Sequence, residues 1–197
     1  MEQDINMYNQ IILICVGALI SIFATVISKF VDSCINKQGD VIIYRKLVYK
    51  KNNIKKLIGI YSQDNDYILV IPLWIEIQNT KKVPIIIRDF SLALYKNGKR
   101  IKKMKQVNYQ KDNESEDGTE VYYGDNGRYS FLISPESIRS FDLLFVLKKS
   151  ECSSDFDEVK IVYYNQKNKM TIKNLKKIED SWSIKQFEID EDWVEIY

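Results

Sequence analysis

From Asn6 to Ser28 the chain carries no charged side chain, and the centre of that run reads IILICVGALISIFATVIS, Ile11–Ser28. A bilayer hydrocarbon core about 30 Å thick is crossed by roughly 20 apolar residues in a helix rising 1.5 Å per residue. The run is long enough for this and is bounded by Asp4 and Lys29. A core helix of a soluble domain needs a wet face, which an unbroken apolar run does not supply. A cleavable signal fits poorly as well: the start, MEQDINMYNQ, has two acids and no Lys or Arg, and no A-x-A-like site follows. Val31-Asp32-Ser33-Cys34 half resembles a lipobox, but Asp32 stands where such signals keep a small or apolar residue. The sequence therefore predicts a short extracytoplasmic tail over residues 1–10, and a transmembrane helix with its juxtamembrane extension over 11–36.

Orientation follows from the flanking cations, because basic flanks stay in the cytoplasm. The N-terminal tail has none, whereas Lys29, Lys37, Arg45 and Lys46 follow the segment, then Lys50, Lys51, Lys55 and Lys56. The expected location is the cell membrane, crossed once, with the N-terminus outside and the rest of the chain cytoplasmic. Cys15, Cys34 and Cys152 form no closely spaced even set of the kind an oxidising compartment favours. Within the helix, Gly17, Ser21, Thr25 and Ser28 share one small-residue face, at the spacing that lets two membrane helices approach closely.

Removing the anchor from 197 residues leaves one domain's worth of chain. A net charge of +2 forces no polyanion-binding reading. The chain has no histidine, which excludes Ser-His-Asp and Cys-His catalysis, histidine metal sites and histidine pH switches together. Cofactor and metal sites are not expected, and no nucleophile has an identifiable activating base. Abundant Tyr, Ile, Lys and Asn with little Gly and Pro fit an AT-rich bacterial genome.

Beyond Gly39 the pattern changes to short runs of Ile, Val, Tyr and Phe between polar turns. Strands are predicted over Val41–Lys50 and Leu57–Tyr61, partnered across a turn at 50–56, and over Asp66–Asn79, where Pro72 suggests a bulge or an edge. Ile85–Lys96 and Lys99–Val107 form a hairpin, because Asn97-Gly98 suits a type I′ turn. A polar loop (Gln110–Glu120) precedes strands over Arg128–Ile133 and Ile138–Lys149, around the turn at 134–137. Asp157–Asn165 and Lys169–Leu175 form a last hairpin. This predicts a β domain over 40–178 and an acidic, aromatic C-terminal tail over 179–197.

The stretches WIEIQNTKKVPIIIRDFSLALY (Trp74–Tyr95) and YSFLISPESIRSFDLLFVL (Tyr129–Leu147) resemble the paired strands of immunoglobulin-like or fibronectin-like sandwiches. The resemblance covers about half of the soluble part, and the Cys…Trp…Cys signature of true immunoglobulin domains is absent. It implies a mainly β fold: an antiparallel immunoglobulin-like β-sandwich tethered by one N-terminal transmembrane helix. It supplies no functional residues to carry over.

Three segments are candidate sites. KNGKRIKKMK holds Lys96, Lys99, Arg100, Lys102, Lys103 and Lys105, a surface for anionic lipid or a partner, or a charged guard on a sheet edge. Only Tyr95 and Tyr109 flank it, which argues against nucleic acid. Asp112, Glu114, Glu116, Asp117 and Glu120 make an acidic loop that reads as solvated rather than Ca²⁺-binding, with the EF-hand glycine position taken by Asp117. The tail carries Trp182, Phe187 and Trp193, which either pack back as a final strand or dock on a partner.

Taken together, these features predict a membrane-anchored protein-interaction, sensor or accessory module and not an enzyme. Its expected partners are the membrane and either another protein or a second copy. The alternative is an oligomeric membrane effector, for example a phage-defence accessory, that perturbs the bilayer. An enzyme of the membrane surface is the least supported reading.

Overall fold

The computed structural model describes residues 2–48, 58–110, 119–122 and 130–196. Among these, one α-helix, α1 (Glu2–Lys37), precedes thirteen strands. The helix starts at Glu2, so the segment read as a tail continues the helical backbone. It ends at Lys37, and two residues on, at Gly39, the chain turns with φ +91° against Thr80.

The strands form two antiparallel sheets. In the first, β3 (Asp66–Asn79) is the axis. Along one side it pairs from Ile68 to Asn79 with the whole of β9 (Ser137–Lys148). Along the other it meets two strands end to end: β2 (Gly59–Gln63) beside its first half and β1 (Val41–Leu47) beside its second. The expected β1–β2 hairpin is therefore absent among the described residues, since both strands pair with β3 and not with each other. A 14-residue strand offers ladder enough for both partners. Pro72 sits where β3 changes neighbours, between Val70 opposite Gly59 and Leu73 opposite Leu47. In an antiparallel strand a residue's N–H and C=O point the same way. The Pro72 carbonyl accepts from the Val48 amide, so the N–H that proline lacks would have pointed into that seam. Pro72 thus marks neither a bulge nor an edge but a gap between partners.

The second sheet runs β11 (Met170–Lys177), β10 (Glu158–Tyr164), β4 (Ile85–Lys96), β5 (Lys99–Lys103), with β8 (Phe131–Ile133) beside the first residues of β4. Here β4 exchanges β8 for β5 around Asp89, which has φ +55°. The predicted hairpins over Asn97-Gly98 and over 165–169 are present, the former with φ values of 48° and 75°. The first of them is shorter than expected. Its return strand leaves after Lys103, turns at buried Met104 and enters the other sheet as β6 (Lys105–Gln110), where Val107 pairs with Leu144. β7 (Thr119–Tyr122) then completes the edge beside β6.

One hydrophobic cluster fills the space between the sheets. The first sheet contributes Leu69, Ile71, Leu73, Ile75, Ile77 and Phe145, and the second Phe90, Leu92, Leu94, Val159 and Ile161. Alternation along β3 and β4 aims these side chains inward. The stretches that resembled paired strands are crossovers: β3 and β4 lie in opposite sheets, as do β8 and β9.

The registers define two ends. Val41 pairs with Asn79, Ser137 with Asn79 and Ile85 with Ile133. The α1–β1 junction, the crossovers 80–84 and 134–136, and the turn 165–169 therefore gather at a proximal end, next to the helix. The turns at 64–65 and 97–98 and the segment 149–157 lie at the distal end.

Candidate functional site

Within α1, the segment Asn9–Asn36 spans 28 residues, has no buried residue, and is long and apolar enough to cross a membrane. At 1.5 Å per residue it extends about 42 Å. Of the small-residue face, the Ser21 hydroxyl donates to the Gly17 carbonyl at 3.0 Å, and the Thr25 hydroxyl to the Ser21 carbonyl at 2.8 Å. Both hydroxyls are thus satisfied within one helix, and the space above Gly17 is open to 4 Å. Ser28 is exposed on the same helix.

The connection between helix and domain is short and clamped. The Asp40 amide donates to Thr80 Oγ1 at 2.7 Å, the Thr80 amide donates to the Asp40 carbonyl at 3.0 Å, and the Thr80 hydroxyl donates to that carbonyl at 3.1 Å. Only three residues separate Lys37 from Val41. The clamp rests on buried Asn79. Its Nδ2 donates to the carbonyls of Val83 (2.9 Å) and Ser134 (2.8 Å), and its Oδ1 accepts from the Lys81 amide (3.1 Å). One side chain therefore holds both crossovers, which are also joined by the Glu136 amide donating to the Lys81 carbonyl. The turn 165–169 is tied in by Gln166 Nε2, which donates to the Pro84 carbonyl at 2.7 Å.

The basic hairpin lies at the opposite, distal end. Lys96, Lys99, Arg100 and Lys102 are exposed, and among the described residues none of them forms an ion pair. The other two differ: Lys103 Nζ pairs with Asp89 at 2.5 Å, and Lys105 pairs with Glu151. Six consecutive-looking cations thus divide into four exposed at the tip and two engaged at the base, because the strand changes sheets at Met104.

The tail, residues 179–196, packs against the domain. Trp182 and Phe187 belong to the shared core, Trp182 standing edge-on to Phe156 with ring centroids 5.3 Å apart. The indole N–H of Trp182 donates to the Ser154 carbonyl. Next, β12 (Lys185–Gln186) pairs with β2, and β13 (Val194–Glu195) with β1. Between them the Asp190 carboxylate accepts from Arg45 at 2.5 Å and from the Leu47 amide at 2.7 Å. Trp193 remains 41% exposed. While the tail is packed, Trp193 alone of the three aromatic candidates offers its ring to a partner.

Two further features follow from the fold. An open groove of about 720 Å³ lies between the β1 edge and β11, lined by Asp40, Ile42, Lys169, Met170, Thr171 and Glu195 among others. Tyr163 also lines it; burial raises its phenol pKa above 10.0, against an opposing hydrogen bond with Thr171. The proximal crossovers and turn carry Lys81, Lys82, Lys167 and Lys169, with Arg139 two rungs inside. These cations are scattered over two turns far apart in sequence, so no basic run announced them. The acidic loop residues Asp112, Glu114, Glu116 and Asp117, and the lysines at 50, 51, 55 and 56, lie outside the described residues, and Glu120 falls in β7.

No protein-family model matches the chain, and no curated protein or solved structure matches it either.

Proposed function

We propose that this is a single-pass membrane protein that presents an immunoglobulin-like β module at the membrane surface, where it recruits or senses a protein partner. The observation that carries the proposal is the exposed apolar segment Asn9–Asn36, joined to the β domain through the short Thr80 clamp. An apolar helix of that length, uncovered by its own domain, is at home in lipid. The excess of Lys and Arg after the segment supports a cytoplasmic domain in this reading, since basic flanks stay inside.

The partner-facing surface in this reading is the distal hairpin tip, Lys96, Lys99, Arg100 and Lys102. It points away from the helix, and exposed cations of one sign steer and select an acidic protein surface. Binding and not catalysis is the proposed activity. The test is affinity purification of the full-length protein in mild detergent, comparing wild type with the K99E/R100E/K102E variant. A stoichiometric partner retained by wild type and lost from the variant is the expected result. A homo-oligomer with no partner, unchanged in the variant, would favour the membrane-effector reading instead.

A further inference from the structure

The proximal end of the β domain carries both basic and aliphatic surface. Lys82, Lys167, Lys169 and Arg139 are exposed there, and Lys81 is half-buried beside them. Arg88, at the same end, is held by Asn168 and lies over the Tyr164 ring. Among the described residues the acids at this end are Asp40, Glu136 and Glu195, fewer than the cations. At the same end exposed aliphatic side chains flank the outer faces of both sheets near their first rungs: Leu132 at 65% and its partner Ile86 on one, and Ile138 at 60% on the other. Hydrogen bonds from Asn79, Glu136 and Gln166 fix the two crossovers and the turn against one another, so the lysines they carry are held at one end of the domain.

That surface lies three residues from the end of α1, and Thr80 removes slack from the connection. If Asn9–Asn36 spans a bilayer, the lipid headgroups are the nearest possible neighbour of this end. Lysines over an anionic leaflet, with aliphatic groups reaching the headgroup–acyl boundary, are the chemistry of interfacial binding. We infer that the proximal end, through Lys81, Lys82, Lys167 and Lys169 with Leu132 and Ile138, is a membrane-docking foot that binds anionic phospholipid headgroups. The inference rests on the membrane-anchoring reading. It assigns lipid contact to this end and leaves the hairpin of Lys96–Lys105, at the other end of β4, facing away from the membrane.

The test uses full-length protein, with Cys15, Cys34 and Cys152 replaced by alanine, reconstituted in phosphatidylcholine vesicles with or without phosphatidylglycerol. An environment-sensitive fluorophore is placed at Leu132→Cys or, for comparison, at Lys99→Cys. Each lysine near an anionic surface favours contact by roughly fivefold. The Leu132 label is therefore expected to shift to the blue and brighten about twofold in phosphatidylglycerol vesicles. The K81Q/K82Q/K167Q/K169Q variant, or high salt, should abolish the gain, since screening weakens surface attraction. The Lys99 label should not respond. Equal emission at Leu132 in both lipids, or a response at Lys99 in its place, would overturn the foot while leaving anchoring intact. Protein that fails to float with vesicles of either composition would contradict the anchoring itself, and the foot with it.

Discussion

Asn79 shows how much of the domain's shape depends on single polar side chains. It is buried, and its amide serves three backbone groups in two crossovers. Asn79→Leu would remove all three bonds and bury no replacement donor for the Val83 carbonyl, while the Ser134 carbonyl keeps the Ser137 hydroxyl. A buried group left unpaired costs about 1–3 kcal/mol, so a loss of that order is expected in urea unfolding of the detergent-solubilised protein. A loss below about 0.5 kcal/mol would show that water replaces the amide. Asp66 works at the other end. Its carboxylate accepts from the Ser150 hydroxyl at 2.5 Å and from the Tyr67 and Ser150 amides. The Ser150 hydroxyl, opposed by partial desolvation and helped by the amides and Lys148, holds its pKa below 3.8. A depressed carboxylate stabilises the fold above its unfolded pKa, and that contribution is lost as pH falls through the lower, folded value. Carboxyl NMR titration should place the Asp66 midpoint below 3.8 and shift it upward in Ser150→Ala; an unshifted midpoint in that variant would refute the hydroxyl's role. None of these roles was legible in the sequence, because an Asn ending a strand and an Asp opening one carry no sign of which distant backbone groups they bond. Cys152 misleads in the same way: it reads as part of a polar loop and is buried.

At the scale of elements, local chemistry was legible and partner choice was not. The hairpins over Asn97-Gly98 and 165–169 follow from turn residues lying between alternating strands, so their pairing is decided within a few residues. The end-to-end arrangement of β1 and β2, and the passage from β5 to β6 across Met104, depend on strands far away in sequence. The tail was legible as aromatic and therefore costly to expose, but its course was not. It runs from the distal end along β2 and then β1, covering edges that would otherwise present unpaired amides. Gly59 makes this possible: at φ +130° it lies so close to β12 that a Cβ would stand 2.1 Å from the Lys185 carbonyl oxygen. Gly59→Ala should therefore release β12 and the residues after it while the other strands persist. Hydrogen exchange should show lost protection at the Lys185 and Phe187 amides and little change at β9. Unchanged protection of those amides would mean that the backbone relaxes around the added methyl.

For the whole molecule, the sequence made the division between anchor and β domain plain, since a charge-free run and alternating strands differ in period and composition. The placement of charge relative to that anchor was not plain. The densest basic run, Lys96–Lys105, lies at the distal end, and the cations nearest the helix come from residues scattered over loops. Only the registers of β3, β4 and β9 reveal this, because they determine which turns share an end. The central claim is that Asn9–Asn36 crosses a bilayer and holds the domain directly at its surface. The most direct measurement is spin-label accessibility along positions 9–36 of the full-length protein in lipid nanodiscs, read with oxygen and with a water-soluble nickel complex. The account predicts an unbroken stretch of about 20 positions, centred near Leu19, that oxygen reaches and nickel does not. Nickel access recurring every three to four residues through that stretch would mean a helix lying on the surface, and would contradict the claim.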